Sequence, residues 1–159
     1  MKITIVAVGK IKEKYLTMGI AEFVKRLTPY CRLSIIEVDE ERMPENPSEA
    51  ERVKVLIKEG QRMMKHIKDD THLIILDVVG TQASSEQLAE KIHSLGLRGK
   101  SDITFIIGGA FGLSPELLKN ASERLSFSKM TFTHQMIRLL LIEQVYRAFK
   151  INRGEPYHL

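Results

Sequence analysis

The sequence has one cysteine, Cys31, and no tryptophan among its 159 residues. A lone cysteine excludes an internal disulfide framework and a cysteine-based metal cluster. No apolar run approaches the roughly 20 residues of a membrane-spanning helix, so we expect no membrane partner. The N-terminal segment also lacks the small-residue cleavage site of a secretory signal peptide. These absences favour a cytoplasmic protein.

Several catalytic motifs are missing as well. The segment GGAFG at residues 108–112 is neither the G-x-G-x-x-G turn of dinucleotide-binding folds nor a phosphate-binding P-loop. The five histidines are scattered and form no H-x-x-x-H pair, so no metal site is predicted. No serine stands in a G-x-S-x-G context, which leaves a hydrolase without a visible nucleophile.

The charge balance is mildly basic, with a net charge of +4 and a pI of about 9.2. A soluble surface with a small lysine bias explains this balance as well as an anionic partner does. A homodimer would double the charge and could gather it on one face, which would suit a folded RNA.

Short apolar runs alternate with amphipathic helices along the chain, which predicts an α/β fold with a mainly parallel sheet and helices on both faces. We expect residues 1–159 to form a single domain. Helix starts are marked by Ser48, Ser84, Ser114 and Thr133, each a residue that favours the N-cap. Strands are predicted at residues 2–8, 33–38, 73–78, 102–107 and 125–127.

Ligands of parallel sheets bind outside the carboxyl ends of the strands. Three loops of this sequence follow such ends, at residues 78–80, 108–113 and 128–133. Glycine-rich and polar loops of this kind can offer backbone N–H and C=O groups to a ligand with little obstruction. The pattern places a site at this edge of the sheet without identifying the ligand.

The last predicted helix, from residue 134 to about 151, is apolar around most of its circumference, which places it centrally or against a partner. Glu143 and Arg147 on this helix could form a salt bridge worth about 0.3 kcal/mol or bind an anion. The tail at residues 153–159 carries Arg153, Tyr157 and His158. It could close over a site, although short polar tails favour disorder.

The string LSFSKMTFTHQMIRLLLIEQVYRAFKINRGEPYH, together with KITIVAVGKIKEKY, KEGQRM and IIGGAFGLS, resembles the RlmH family. These are SPOUT-class methyltransferases of 23S rRNA, and the resemblance runs from end to end. It implies a C-terminal trefoil knot, a feature that very few folds contain. It also implies a homodimer, with the tail of one subunit near the cofactor of the other.

The resemblance implies S-adenosylmethionine, bound without a metal, as the cofactor. Matching the family's motifs places the binding residues on the three loops selected above, where Leu76 and Phe127 would supply apolar walls. The implied cofactor residues are Leu76, Gly108, Phe127, Ser128, Lys129, Met130, Thr131 and Phe132.

The implied substrate is N3 of a pseudouridine in 23S rRNA on the assembled ribosome, with no DNA partner. His158 is the expected base, Tyr157 could stack on or hydrogen-bond the nucleotide, and Arg138 could bind an anion near the reaction. Contacts to RNA are expected from Arg153, Arg147 and Lys129.

Two positions depart from the family pattern, which usually has proline before HQ and a basic residue after the final YH. Here Thr133 and Leu159 occupy these places. Threonine can still cap the helix, whereas Leu159 removes a candidate phosphate contact.

Two other functions stay open. A ribosome-binding factor could have kept this fold and lost catalysis, and turnover would distinguish it from an enzyme. The chain could also be an unrelated α/β nucleotide-binding domain. The absence of both phosphate-loop patterns disfavours this hypothesis.

Overall fold

The computed structural model describes residues 1–159, which form five strands and five helices. The strands are β1 (Lys2–Val8), β2 (Arg32–Val38), β3 (His72–Gln82), β4 (Asp102–Ile107) and β5 (Glu123–Ser126). The helices are α1 (Lys14–Leu27), α2 (Glu49–Met64), α3 (Ser85–Leu97), α4 (Pro115–Asn120) and α5 (His134–Asn152).

All five strands run parallel in one sheet, in the order β2-β1-β4-β3-β5. The central strands β1 and β4 are almost wholly buried, as expected for a parallel sheet covered on both faces. The predicted α/β class is therefore confirmed. Because every strand runs the same way, all five carboxyl ends meet at one edge, called the carboxyl edge below.

Two apolar clusters form the core, one on each face of the sheet. The larger joins side chains of alternate strand positions, such as Ile5 and Phe105, to helices α1, α3 and α5. The smaller joins the opposite positions, such as Val6 and Ile106, to Met63 of α2 and to α4. The two-residue period of the strands thus fixes which helices lie on which face.

The predicted N-caps are all confirmed. Ser48 and Ser84 form complete capping boxes with Glu51 and Gln87 at the starts of α2 and α3. The hydroxyl of Ser114 accepts a hydrogen bond from Leu117 N–H, and that of Thr133 accepts one from Met136 N–H. Thr133 therefore caps α5, as expected of a threonine at this position.

The third strand is longer than predicted. β3 continues to Gln82, with a register shift against β5 between Leu76 and Thr81. At the shift, a Cβ on Gly80 would lie 2.7 Å from the carbonyl oxygen of Arg124, so the two backbones pack too closely for a side chain. Sequence periodicity does not report such a bulge, because it depends on the partner strand.

The last helix begins on the other side of the sheet from the strand that precedes it. β5 is one edge strand of the sheet, whereas α5 begins beside β1 and β2 at the other side, where Lys12 N–H donates to the Gln135 side chain. Residues 127–133 therefore cross the carboxyl edge. This crossing accords with the implied trefoil knot, which stays a prediction. No helix of the chain is both long enough and apolar enough to cross a bilayer.

We predict that Phe105→Ala lowers the free energy of unfolding by about 3–5 kcal/mol, because Phe105 is fully buried in the larger cluster. Leu97→Ala, at a residue that is 76% exposed, is the control and should change it by less than about 0.5 kcal/mol. Denaturant unfolding at one fixed protein concentration measures both values. Equal effects would contradict the assigned core.

Candidate active site

A cavity of about 1060 Å³ opens at the carboxyl edge of the sheet. Its walls come from the middle of β3, the glycine turn after β4, the segment from β5 to the start of α5, and the start of α1. The volume suits a ligand of nucleoside size or somewhat larger. The predicted position of the site, outside the carboxyl ends of the strands, agrees with this cavity.

Seven of the eight residues to which a cofactor role was assigned line this one cavity. Leu76 and Phe127 are apolar and partly buried, as a wall against a flat ring requires. Lys129 is the exception, since it does not line the cavity and its side chain is exposed. The lining members are Leu76, Gly108, Phe127, Ser128, Met130, Thr131 and Phe132.

The glycine turn is held by close backbone packing. A Cβ on Gly108 would lie 2.7 Å from the Gly112 carbonyl oxygen and 2.9 Å from the Leu113 side chain. Gly112 has a φ of +94°, which glycine adopts without strain, and its N–H donates to the Gly109 carbonyl at 3.2 Å. The buried Glu59 of α2 packs behind the turn, and its burial raises the pKa of this carboxyl.

The crossing segment is braced by its own serines. Ser126 Oγ donates to the Ser128 carbonyl at 3.1 Å, and Ser128 Oγ accepts from Met130 N–H at 3.0 Å. Met130 and Phe132 are 77% and 41% exposed, which is unusual for large apolar side chains. An apolar rim of this kind on a cavity is typical of a surface that a ligand or partner covers.

Few charged groups face the cavity. Asp77 Oδ2 accepts from Arg124 Nε at 2.9 Å, so these two lining residues neutralise each other. His134 is the lining histidine, and its buried Nε2 has no hydrogen-bond partner and lies 3.7 Å from a Glu40 oxygen. Glu13 also lines the cavity. No group of three or more histidine, cysteine or acidic side chains is arranged to hold a metal ion.

Arg138 does not lie where an anion near the reaction would reach it. Its side chain is only 1% exposed, with Nη1 2.5 Å from Glu37 Oε2 and Nη2 donating to the Gly9 carbonyl at 3.0 Å. It is absent from the cavity wall. In this chain Arg138 joins α5 to the carboxyl ends of β1 and β2, and the expected catalytic contact stays a prediction.

The C-terminal tail is neither disordered nor closed over the cavity of its own chain. Tyr157 Oη donates to Glu143 at 2.8 Å, while His158 Nδ1 accepts from Arg147 at 3.1 Å. His158 Nε2 lies 2.7 Å from Glu86. Because an arginine can only donate, His158 Nδ1 must be the acceptor and its lone pair is occupied.

These contacts restrict what the tail can do in this chain. Neither Tyr157 nor His158 lines the cavity. Burial, together with the Glu143 carboxylate, raises the pKa of Tyr157, so the phenol stays protonated at neutral pH and can donate but not take a proton. Both residues could reach a cofactor only in a second subunit or after the tail moves.

The two arginines to which RNA contacts were assigned are also engaged. Arg147 pairs with Glu143 at 2.6 Å and stacks on the Tyr157 ring, with 4.7 Å to the centroid. Arg153 lies 3.9 Å from Glu155 and stacks on Tyr30. The salt bridge predicted from the Glu143–Arg147 spacing is therefore present, while anion binding by these residues stays untested.

One wall of the cavity was missed by sequence reasoning. Glu13, Tyr15 and Leu16, from the loop after β1 and the start of α1, line it beside the crossing segment. The strand-end rule could have found them, because β1 also ends at the carboxyl edge. The three predicted loops follow β3, β4 and β5, and the lysine-containing loop after β1 was not among them.

We predict that Gly108→Ala destabilises the chain by about 1–3 kcal/mol, because the new methyl group would overlap Gly112 and Leu113. Gly96→Ala is the matched control, since a Cβ there meets only a flexible methionine end at 3.5 Å. Thermal unfolding of both variants tests this packing. An unchanged midpoint for Gly108→Ala would contradict the described turn.

Comparison with known proteins agrees with the fold and the motifs. The crystal structure of a protein from Neisseria gonorrhoeae, assigned to a methylase family, superimposes with a TM-score of 0.53. The two chains are 16% identical, and the match covers 99% of this chain and 85% of the other. At this identity the likeness concerns the fold alone.

Closer relatives align with the whole of this sequence. Each alignment covers 99% of this chain and 99% of the relative. Proteins from Bacillus cytotoxicus, Clostridium novyi and Halothermothrix orenii are 56%, 54% and 58% identical to it. All three are named ribosomal RNA large subunit methyltransferase H. The family model described as "Predicted SPOUT methyltransferase" matches residues 1–158. The chain therefore belongs to the SPOUT methyltransferase family.

Proposed function

We propose that this chain is an S-adenosylmethionine-dependent methyltransferase that modifies N3 of a pseudouridine in large-subunit (23S) rRNA on the assembled ribosome. The observation that carries the proposal is that three family motifs, distant in sequence, line one cavity. The names of relatives that are 54–58% identical over the full length support the choice of substrate.

The cavity fits S-adenosylmethionine in size and in chemistry. Leu76 and Phe127 would enclose the adenine ring, while the glycine turn leaves backbone N–H and C=O groups open to its edge. Gly108 and the crossing segment would hold the rest of the molecule. When bound, this cofactor supplies a methyl group that its sulfonium already activates.

The protein must then align the nucleotide and remove the proton on N3. Fixing the two reactants in line can supply a large part of the rate enhancement. A base is still needed, and two histidines are candidates. His158 follows from the family motif, and His134 is the histidine on the cavity wall. His158 can accept a proton only where Arg147 no longer occupies its Nδ1.

We further propose a homodimer in which the tail of each subunit completes the partner's cavity. Support comes from the tail's position outside its own cavity. A second support is the start of α1, where Tyr15 at the cavity and Met18 are 61% and 64% exposed. These residues are three apart and share one helix face, beside the contact of Gly19 with Leu139 of α5.

Residues 1–159 are proposed to act as a single domain, in the cytoplasm, where assembled ribosomes are found. RNA contacts by Arg153, Arg147 and Lys129 remain part of this proposal. Of the three, Lys129 alone has no carboxylate within ion-pairing distance.

The first test is transfer of labelled methyl groups from S-adenosylmethionine to ribosomes that lack only this modification. We expect label in large-subunit rRNA, and none in ribosomes that also lack the pseudouridine. Gly108→Ala should bind the cofactor at least about tenfold more weakly by calorimetry. The added methyl group would distort the glycine turn, whose backbone must come close to the ligand.

A chain that binds S-adenosylmethionine but labels neither set of ribosomes would be a binding factor without catalysis. Label at a nucleotide other than the pseudouridine would contradict the proposed specificity. Equal label in both sets would show that the enzyme accepts uridine.

The composite site predicts complementation between two defective variants. Gly108→Ala damages the cavity, and His158→Ala damages the tail, so each homodimer should be slow. A heterodimer joins one intact cavity to one intact tail, so it should regain about half the wild-type rate. Co-expression with two different tags allows the heterodimer to be purified and assayed on saturating ribosomes.

Other outcomes of the complementation test would show which part of the proposal is wrong. Full turnover by homodimeric His158→Ala would remove His158 as the base, and a large loss in His134→Gln would then favour the cavity histidine. A slow heterodimer would contradict a site shared between subunits.

A further inference from the structure

The loop after β1 and the first residue of α1 carry three lysines at alternate positions, Lys10, Lys12 and Lys14, called the lysine rim below. All three side chains are exposed. None of the ion pairs of the chain includes them, whereas Arg147, Arg153 and Lys150 each pair with a carboxylate. The rim thus presents three positive charges that no carboxylate of the chain neutralises.

The lysine rim flanks the cavity, although none of its three side chains belongs to the cavity wall. Glu13 and Tyr15, which alternate with the rim lysines, both line the cavity. The loop backbone is fixed there by two side chains. Lys12 N–H donates to Gln135 Oε1 at 3.3 Å, and Ile11 N–H donates to Glu37 Oε2 at 3.2 Å. The three cations are therefore carried on a braced segment.

Acidic neighbours reduce the local charge but do not cancel it. Glu37 is bound by Arg138, so it is already neutralised. Glu13, Asp39 and Glu40 remain, three carboxylates against the four lysines around the opening, and Glu40 lies against Gly9 at the start of the loop. Lys129, in the crossing segment on another side of the cavity, adds a fourth exposed cation without an ion pair. The balance around the opening is positive.

We infer that the lysine rim binds backbone phosphates of the rRNA strand that flanks the target nucleotide. This inference rests on the proposed function and assigns the RNA contact to residues other than Arg147 and Arg153. Exposed lysines without partners gain from a polyanion by releasing its counterions, and they contribute affinity without reading sequence. A position beside the cofactor cavity is where the strand must pass when its nucleotide enters.

The test replaces all three rim lysines with glutamine and compares the variant with a charge-matched control. Lys25, Lys65 and Lys100 supply the control, because they are exposed, have no ion pairs and lie toward the opposite edge of the sheet. Affinity for S-adenosylmethionine is measured by calorimetry. Ribosome binding is measured by sedimentation across a range of salt concentrations, and KM by methyl transfer.

For the rim variant we expect unchanged cofactor affinity and ribosome binding at least about tenfold weaker, with a matching rise in KM. The slope of log K against log salt should fall by about 2–3, close to one for each lost phosphate contact. The control triple should keep the wild-type slope. A rim variant that matches the wild type or the control in affinity and slope would overturn the inference, as would a loss of cofactor binding.

The ribosome also contains proteins with acidic segments, so the partner itself must be identified. A photo-crosslinking amino acid in place of Lys12 should form its adduct with 23S rRNA. An adduct confined to ribosomal protein would overturn the inference. Sedimentation tests the rim even if no methyl transfer occurs, so failure of the proposed function and failure of this inference give different results.

Discussion

The buried guanidinium of Arg138 is the contact on which the architecture of the site depends. It is 1% exposed and joins α5 to Glu37 and to the Gly9 carbonyl at the ends of β2 and β1. β5, which precedes α5, lies at the far edge of the sheet. Fixing α5 beside β1 and β2 therefore forces residues 127–133 across the carboxyl edge. A buried charge of this kind is costly to leave without its partner, so the position of α5 is strongly specified.

The crossing segment turns the edge of a common α/β sheet into an open cavity. It passes over the ends of β3 and β4, where Leu76 and the glycine turn already present apolar and backbone groups. The loops after β3 and β4 would not surround a ligand without the crossing segment. The same arrangement leaves the C-terminal tail outside the cavity of its own chain, against Glu86 and Glu143. A site that uses the tail therefore needs either a second subunit, as proposed above, or a movement of the tail.

Much of this structure could be predicted from the sequence, because local rules determine it. Apolar runs and caps gave β1, β4 and the starts of four helices, and the strand-end rule located the cavity. The bulge of β3 could not be predicted, since it depends on the backbone of Arg124 in a neighbouring strand. The contacts of Arg138 could not be predicted, because an arginine that binds a substrate anion and one that pairs with a carboxylate of its own chain look alike in sequence. Long-range contacts decide between the two.

The central claim is that three distant motifs form one cofactor cavity at the carboxyl edge. Amide chemical shifts of the ¹⁵N-labelled protein, followed during titration with S-adenosylhomocysteine, test it most directly. The account predicts that the largest changes fall in residues 76–80, 108–113 and 127–133, with little change around Tyr30 at the opposite edge of the sheet. Saturable binding with its largest changes outside these three segments would contradict the account.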